Sequence, residues 1–223
     1  MNRIIFSSVM AVLVLGTAGM LAASDAKWIV RGQYAQTWPS TDSYQTQSVI
    51  EDLPDIFTEF SVDKGQGFAL DIEYMVKPKL GLVLSGIFTD LEGTFVYGIE
   101  PGENSDRVQD NNTVDFYTIN FGANYHFTPD SRVDFYLGAF AGVFSYDSIK
   151  FDLPELDRQI SINFDDQFSY GLNAGVDVPF KADGPFFFSA AVKYLISDLK
   201  EDGGPREIAI DPVIGSIGIG YRF

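Results

Sequence analysis

An all-β fold, an eight-stranded antiparallel transmembrane β-barrel, is what this sequence predicts, on three observations. From Trp28 onward the apolar residues recur with a period of two, over segments as long as the roughly 9–11 residues a tilted strand needs to cross a bilayer. One side of every such segment is free of charge along its middle. The connections alternate between short turns carrying a proline and longer acidic stretches, the rim pattern of barrels that live in membranes.

The chain opens MNRIIFSSVMAVLVLGTAGMLAASDA, with Arg3 ahead of an apolar run that ends in Ala22, Ala23, Ser24 and Ala26. That is how a secretory signal peptide reads. Residues 1–24 are expected to be removed, with cleavage between 23 and 26, leaving 25–223 as a single barrel domain. No later stretch reaches the roughly 18 unbroken apolar residues of a membrane helix.

Eight strands follow from the alternation, over 27–38, 66–76, 80–91, 114–127, 133–146, 167–180, 186–198 and 207–223. Between the second and third lies "KPK", between the fourth and fifth "TPDSR", and between the sixth and seventh "KADGP". Each holds a proline as turn punctuation. The other four connections, 39–65, 99–113, 147–166 and 199–206, are longer and acidic. In a transmembrane barrel the short turns and both termini face the periplasm and the long loops face outward.

The uncharged face carries, among others, Leu70, Ile72, Leu82, Leu84, Ile119, Phe121, Leu137, Leu172, Val192, Ile217 and Ile219. Aromatic residues gather at both ends of that face. Trp28, Tyr74, Tyr125, Phe180, Phe186 and Tyr221 lie at the turn rim; Tyr34, Trp38, Phe68, Tyr117, Phe168 and Tyr194 lie at the loop rim. A soluble sandwich could show the alternation, but it has no reason to grow two aromatic belts. Slipping a strand by one residue would turn its charged face to lipid, at roughly 2–4 kcal/mol per buried Arg or Lys.

Composition narrows the functions. Formal charge is −16, so the chain repels phosphate backbones and nucleic acid is excluded as a partner. There is no cysteine, hence no disulfide and no thiolate metal site. Twenty Phe and eleven Tyr argue against the disorder that an acidic excess alone would suggest.

Several stretches carry a family resemblance: "KWIVRGQYAQTWPS", "YLGAFAGVFSYD", "YGLNAGVDVPF", "VKYLISDLK" and above all the closing "IDPVIGSIGIGYRF". Over nearly the whole mature chain these resemble the OmpW family of small outer-membrane β-barrel proteins. The resemblance implies an eight-stranded barrel in the outer membrane of a Gram-negative-type envelope that passes small hydrophobic molecules. A terminal Phe is shared by most outer-membrane barrels, so Tyr221 and Phe223 read as the signal for the outer-membrane assembly machinery. Outer-membrane lipids, lipopolysaccharide and small hydrophobic solutes are the other expected partners.

The opposite, inward face divides by height. Ile87, Phe116, Phe140, Phe144, Leu195 and Ile214 fall toward the loop end and predict a hydrophobic lining, an oily cup. Arg31, Glu73, Asn124, His126, Asp134, Asp177 and Arg222 fall toward the turn end, with Asp71 and Lys193 nearer the middle, and predict a charged floor. Eight strands leave an interior that side chains can fill or that holds one small ligand. Arg31, Lys193 and Arg222 are expected to pair with Asp71, Glu73 and Asp177, because a charge left unpaired there is costly. The floor then blocks a continuous water pore, and an apolar solute leaves the cup more easily sideways into lipid. Space-filling is an equal reading of the cup, and a purely structural role is the stronger reading of the floor.

No enzyme is expected. His126 is the single histidine, and although "YHFTPD" sets it near Thr128, its inward place beside a turn is out of reach of an outer-leaflet lipid. No cofactor is implied. The loop carboxylates, such as Glu51, Asp52, Asp55, Asp106, Asp110, Asp152 and Asp165, lack the spacing of a calcium loop, so no metal site is assigned. A weaker reading has divalent cations bridging them to lipopolysaccharide phosphates. The alternative function is a non-transporting barrel that stabilises the envelope or adheres through its acidic loops.

Overall fold

The computed structural model describes residues 28–40, 44–48, 56–98, 108–129, 131–146, 149–153, 158–162, 166–181, 184–200 and 207–223. The signal-peptide segment and most of the acidic loop residues lie outside them.

Among the described residues thirteen strands form in chain order: β1 (Trp28–Trp38), β2 (Tyr44–Ser48), β3 (Ile56–Lys77), β4 (Leu80–Gly98), β5 (Val108–His126), β6 (Asp134–Tyr146), β7 (Ile149–Leu153), β8 (Arg158–Ile162), β9 (Gln167–Pro179), β10 (Phe186–Ile196), β11 (Asp198–Lys200), β12 (Glu207–Ala209) and β13 (Val213–Arg222). Eight of them make one antiparallel ring, in the order β1, β13, β10, β9, β6, β5, β4, β3, and β3 pairs back onto β1 to close it. Closure leaves no open edge within the ring, which a bilayer demands because hydrocarbon offers no partner to an unpaired N–H or C=O.

Alternation then does the rest. Along β1 the burial pattern switches at almost every residue, and along β10 likewise. One set of side chains is enclosed by the ring; the other is bare. The bare set includes Phe68, Phe121, Leu137, Leu172, Val192, Ile217 and Ile219. These are apolar and exposed along the outer face of the ring, an arrangement stable against lipid and not against water. At the turn rim Trp28 lies 4.9 Å from Tyr74, and Phe186 meets Tyr221 edge-on at 4.8 Å. Phe223 closes the chain by donating its N–H to the carbonyl of Trp28 at 2.9 Å.

The strand boundaries depart from expectation on the loop side. β3, β4 and β5 run for 22, 19 and 19 residues, about ten more than a bilayer span requires. Their upper halves continue the same ladders past the rim, with β2 added to the far end of β3. Hydrophobic alternation weakens there, so the sequence pattern stopped early. Between Val62 and Gly65, two residues of β3 face the single Glu92 of β4, a bulge of one extra residue where β3 leaves the ring. The expected last strand is also broken. Residues 207–209 pair with 198–200 outside the barrel, and β13 starts only at Val213, after Pro212 and an Asp211 held at a φ of 33°. β7 and β8 form a further hairpin of their own.

Candidate functional site: the lumen

Each inward position is set by the register that also fixes the outer face. Ile87, Phe116, Phe140, Phe144, Leu195 and Ile214 all lie on the enclosed face, and all but Phe140 are at most 1% exposed. Leu91, at 1%, joins them. Phe116 of β5 and Phe144 of β6 stack with ring centroids 4.9 Å apart. The Thr37 and Thr89 hydroxyls, 3.2 Å apart, share that side of the barrel. The group is packed rather than open in this conformation: side chains touch one another where an open cup would have exposed them.

Arg31 on β1 is the centre of the floor. Its Nη1 donates to Glu73 Oε2 at 2.6 Å and its Nη2 to Asp177 Oδ2 at 2.8 Å, with Nε also against the Asp177 carboxylate. The guanidinium carbon sits 4.8 Å from the centroid of Tyr136 and 5.8 Å from that of Phe187. Glu73 and Asp134 hold the two ring nitrogens of His126, Nε2 at 3.0 Å and Nδ1 at 2.8 Å. Arg222 donates to the same Asp134 oxygen at 2.9 Å and stands 3.5 Å from Asp177. From Asp177 the chain of bonds runs on through Ser189, Gln33 and Ser216. Above it, Lys193 Nζ reaches Asp71 at 2.7 Å and Ser85 at 2.6 Å.

These bonds cross the barrel. Around the ring β1 and β9 are three places apart, so the Arg31–Asp177 pair is a chord of the lumen. Buried ions joined this way satisfy one another where water cannot. The floor therefore fills its section with paired charge.

Glycines on the inner face make room for the largest of these groups. A Cβ on Gly175 would land on the Tyr136 ring, one on Gly220 on the Phe187 ring, and one on Gly81 on the Glu73 carboxylate. Each bulky side chain lies over a bare stretch of backbone in a nearby strand.

The structure thus brings Arg31, Asp71, Glu73, His126, Asp177, Lys193 and Arg222 into the lumen, and Arg222 has, besides Asp177, a nearer partner in Asp134. Tyr136 and Phe187, whose rings both lie near Arg31, are lumen positions the sequence reading passed over. The signal was available, because Phe135 with Leu137, and Phe186 with Phe188, face out and leave the residue between them facing in. Tyr221 faces out at the turn rim against Phe186, with Phe223 next to it at 4.5 Å.

A closed eight-stranded antiparallel ring, apolar outside and ionic within, defines a transmembrane barrel. The chain matches the outer membrane protein beta-barrel domain family over residues 8–223, and it belongs to that family. Its place is accordingly an outer membrane. Among solved structures, the outer membrane protein OprG from Pseudomonas aeruginosa is 17% identical, with 89% of this chain and 96% of that chain covered and a TM-score of 0.61. AlkL, solved by solid-state NMR in lipid bilayers, is 17% identical over 89% of this chain and 90% of its own, with a TM-score of 0.55. E. coli Outer Membrane Protein W is 17% identical over 89% and 98%, at a TM-score of 0.45. The likenesses to OprG and AlkL concern the fold. No curated protein sequence matches the chain.

Proposed function

We propose that this barrel takes up small hydrophobic molecules in the upper, apolar part of its lumen and that its ionic floor denies them, and water, a straight path through. The observation that carries this reading is the division of one lumen into two chemistries: Ile87, Phe116, Phe144, Leu195 and Ile214 on one level, and the Arg31, Glu73, His126 and Asp177 network on another. Lodging an apolar solute above the floor gains about 25 cal/mol for each Å² of apolar surface removed from water. Crossing the floor would strip the solute of those contacts and break paired buried charges. It leaves sideways into lipid, by parting a strand ladder, down its own gradient. Parting of the Phe116–Phe144 stack is the step that admits it.

On this reading the short turns and both termini face the periplasm, the closing Tyr221–Phe223 segment engages the assembly machinery, and lipopolysaccharide surrounds the loop rim. The resemblance of "IDPVIGSIGIGYRF" to the OmpW family supports the narrower kinship.

A second reading, a solid barrel that stabilises the envelope or adheres through its loops, is favoured by the near-complete burial of the upper side chains. Uptake of an apolar fluorescent probe into liposomes separates the two. Intact protein should load the vesicles faster than Phe140→Asp, with both variants checked for the heat-modifiable gel migration of a folded barrel. Equal uptake by both would favour the solid barrel.

A further inference from the structure

We infer that Asp134, His126 and Glu73 form a proton-binding site, occupied at neutral pH, whose proton completes the charge balance of the floor and holds it shut.

The geometry comes first. Both nitrogens of the His126 ring lie within hydrogen-bond distance of a carboxylate oxygen, Nδ1 of Asp134 Oδ2 at 2.8 Å and Nε2 of Glu73 Oε1 at 3.0 Å. A neutral imidazole has one N–H and one lone pair. In that form one of the two contacts would set a lone pair against a carboxylate oxygen with no hydrogen between them. Two donated bonds need one proton more than a neutral ring and two carboxylates possess.

The surroundings say where that proton sits. Glu73 already accepts from Arg31 Nη1 on its other oxygen, and Asp134 Oδ2 also accepts from Arg222 Nη2. Each carboxylate thus accepts from a guanidinium, which favours its ionised form, so the proton belongs on the ring, as an imidazolium. Tyr136, packed against the ring at 5.4 Å, offers no competing charge, and Asp177, reached through Arg31 and Arg222, is already paired twice.

Charge balance gives an independent reason. Among the described residues the charges of the floor are the buried cations Arg31 and Lys193, the part-exposed Arg222, and the anions Asp71, Glu73, Asp134 and Asp177. Three meet four. An enclosed, low-dielectric section pays heavily for the odd charge, and an imidazolium at His126 removes it. Loss of the proton would leave Glu73 and Asp134 facing a neutral ring from two sides, on β3 and β6, and would loosen the link that joins those walls through β5.

His126 being the sole histidine makes the test direct. In the intact barrel labelled with ¹⁵N-histidine, in micelles at pH 7, both ring nitrogens should report as protonated; a spectrum with one protonated nitrogen overturns the proposal. A second measurement reads the balance. The urea midpoint of His126→Gln should fall below wild type, and adding Asp134→Asn should raise it again, since Arg222 keeps Asp177 at 3.5 Å. A midpoint that falls further in the double variant contradicts the charge-balance role.

Discussion

Lys193 on β10 and Ser85 on β4 stand on opposite sides of the eight-strand ring, and a 2.6 Å hydrogen bond from Lys193 Nζ to Ser85 Oγ spans the lumen between them. The same ammonium group is 2.7 Å from Asp71 on β3. One side chain therefore ties three strands together at the boundary between the apolar and ionic levels. Lys193→Met should strand the Asp71 carboxylate and destabilise the barrel by about 3–5 kcal/mol. Adding Asp71→Asn should recover most of that loss. Urea unfolding in lipid vesicles, run as a double-mutant cycle, checks both steps.

The glycine slots are a separate matter of volume. Gly175→Ala forces a methyl group into the Tyr136 ring, and Gly220→Ala forces one into Phe187. Each should cost about 1–3 kcal/mol, the usual penalty of overpacking. Gly32→Ala, on the outer face, meets nothing within 4 Å and should change stability by less than about 0.5 kcal/mol. Equal effects at all three positions would contradict the slots.

Depth in the bilayer should be readable from arginine scanning of the outer face. Leu172→Arg, at mid-strand on β9 and 59% exposed, should lose about 2–4 kcal/mol when folding into vesicles is measured. Phe180→Arg, just past the turn-side end of β9 and equally exposed, should lose about 0–1 kcal/mol.

Breaking the centre of the floor should change permeability as well as stability. Arg31→Ala removes the donor shared by Glu73 and Asp177 and opens space beside Tyr136 and Phe187. Small-ion leakage from vesicles should rise at least several-fold over wild type. An unchanged leak from a folded Arg31→Ala barrel would show that the seal lies elsewhere.

The ring and its inside-outside assignment were legible because lipid and enclosure impose opposite chemistries at a period of two, so that Leu172 and Asn173, or Val192 and Lys193, label their own faces. The pairing inside was legible as a set of three cations on Asp71, Glu73 and Asp177, but not partner by partner. Arg222 could reach several carboxylates on paper, and its choice of Asp134 depends on strand tilt and stagger, which alternation does not encode. Tyr136 and Phe187 stand among other aromatics, so only the outward faces of their neighbours mark them as inward. Above the rim, where neither lipid nor enclosure acts, the pattern fades, and the long upper halves of β3, β4 and β5 went unread.

Current through a planar bilayer holding the purified wild-type protein tests the sealed floor most directly. The bonded chords from Arg31, Lys193 and Arg222 predict no steady open-channel current, with brief, rare openings at most. A large, continuous conductance that survives substitution of Arg31, Lys193 and Asp177 would mean that ions pass by a route the floor does not close.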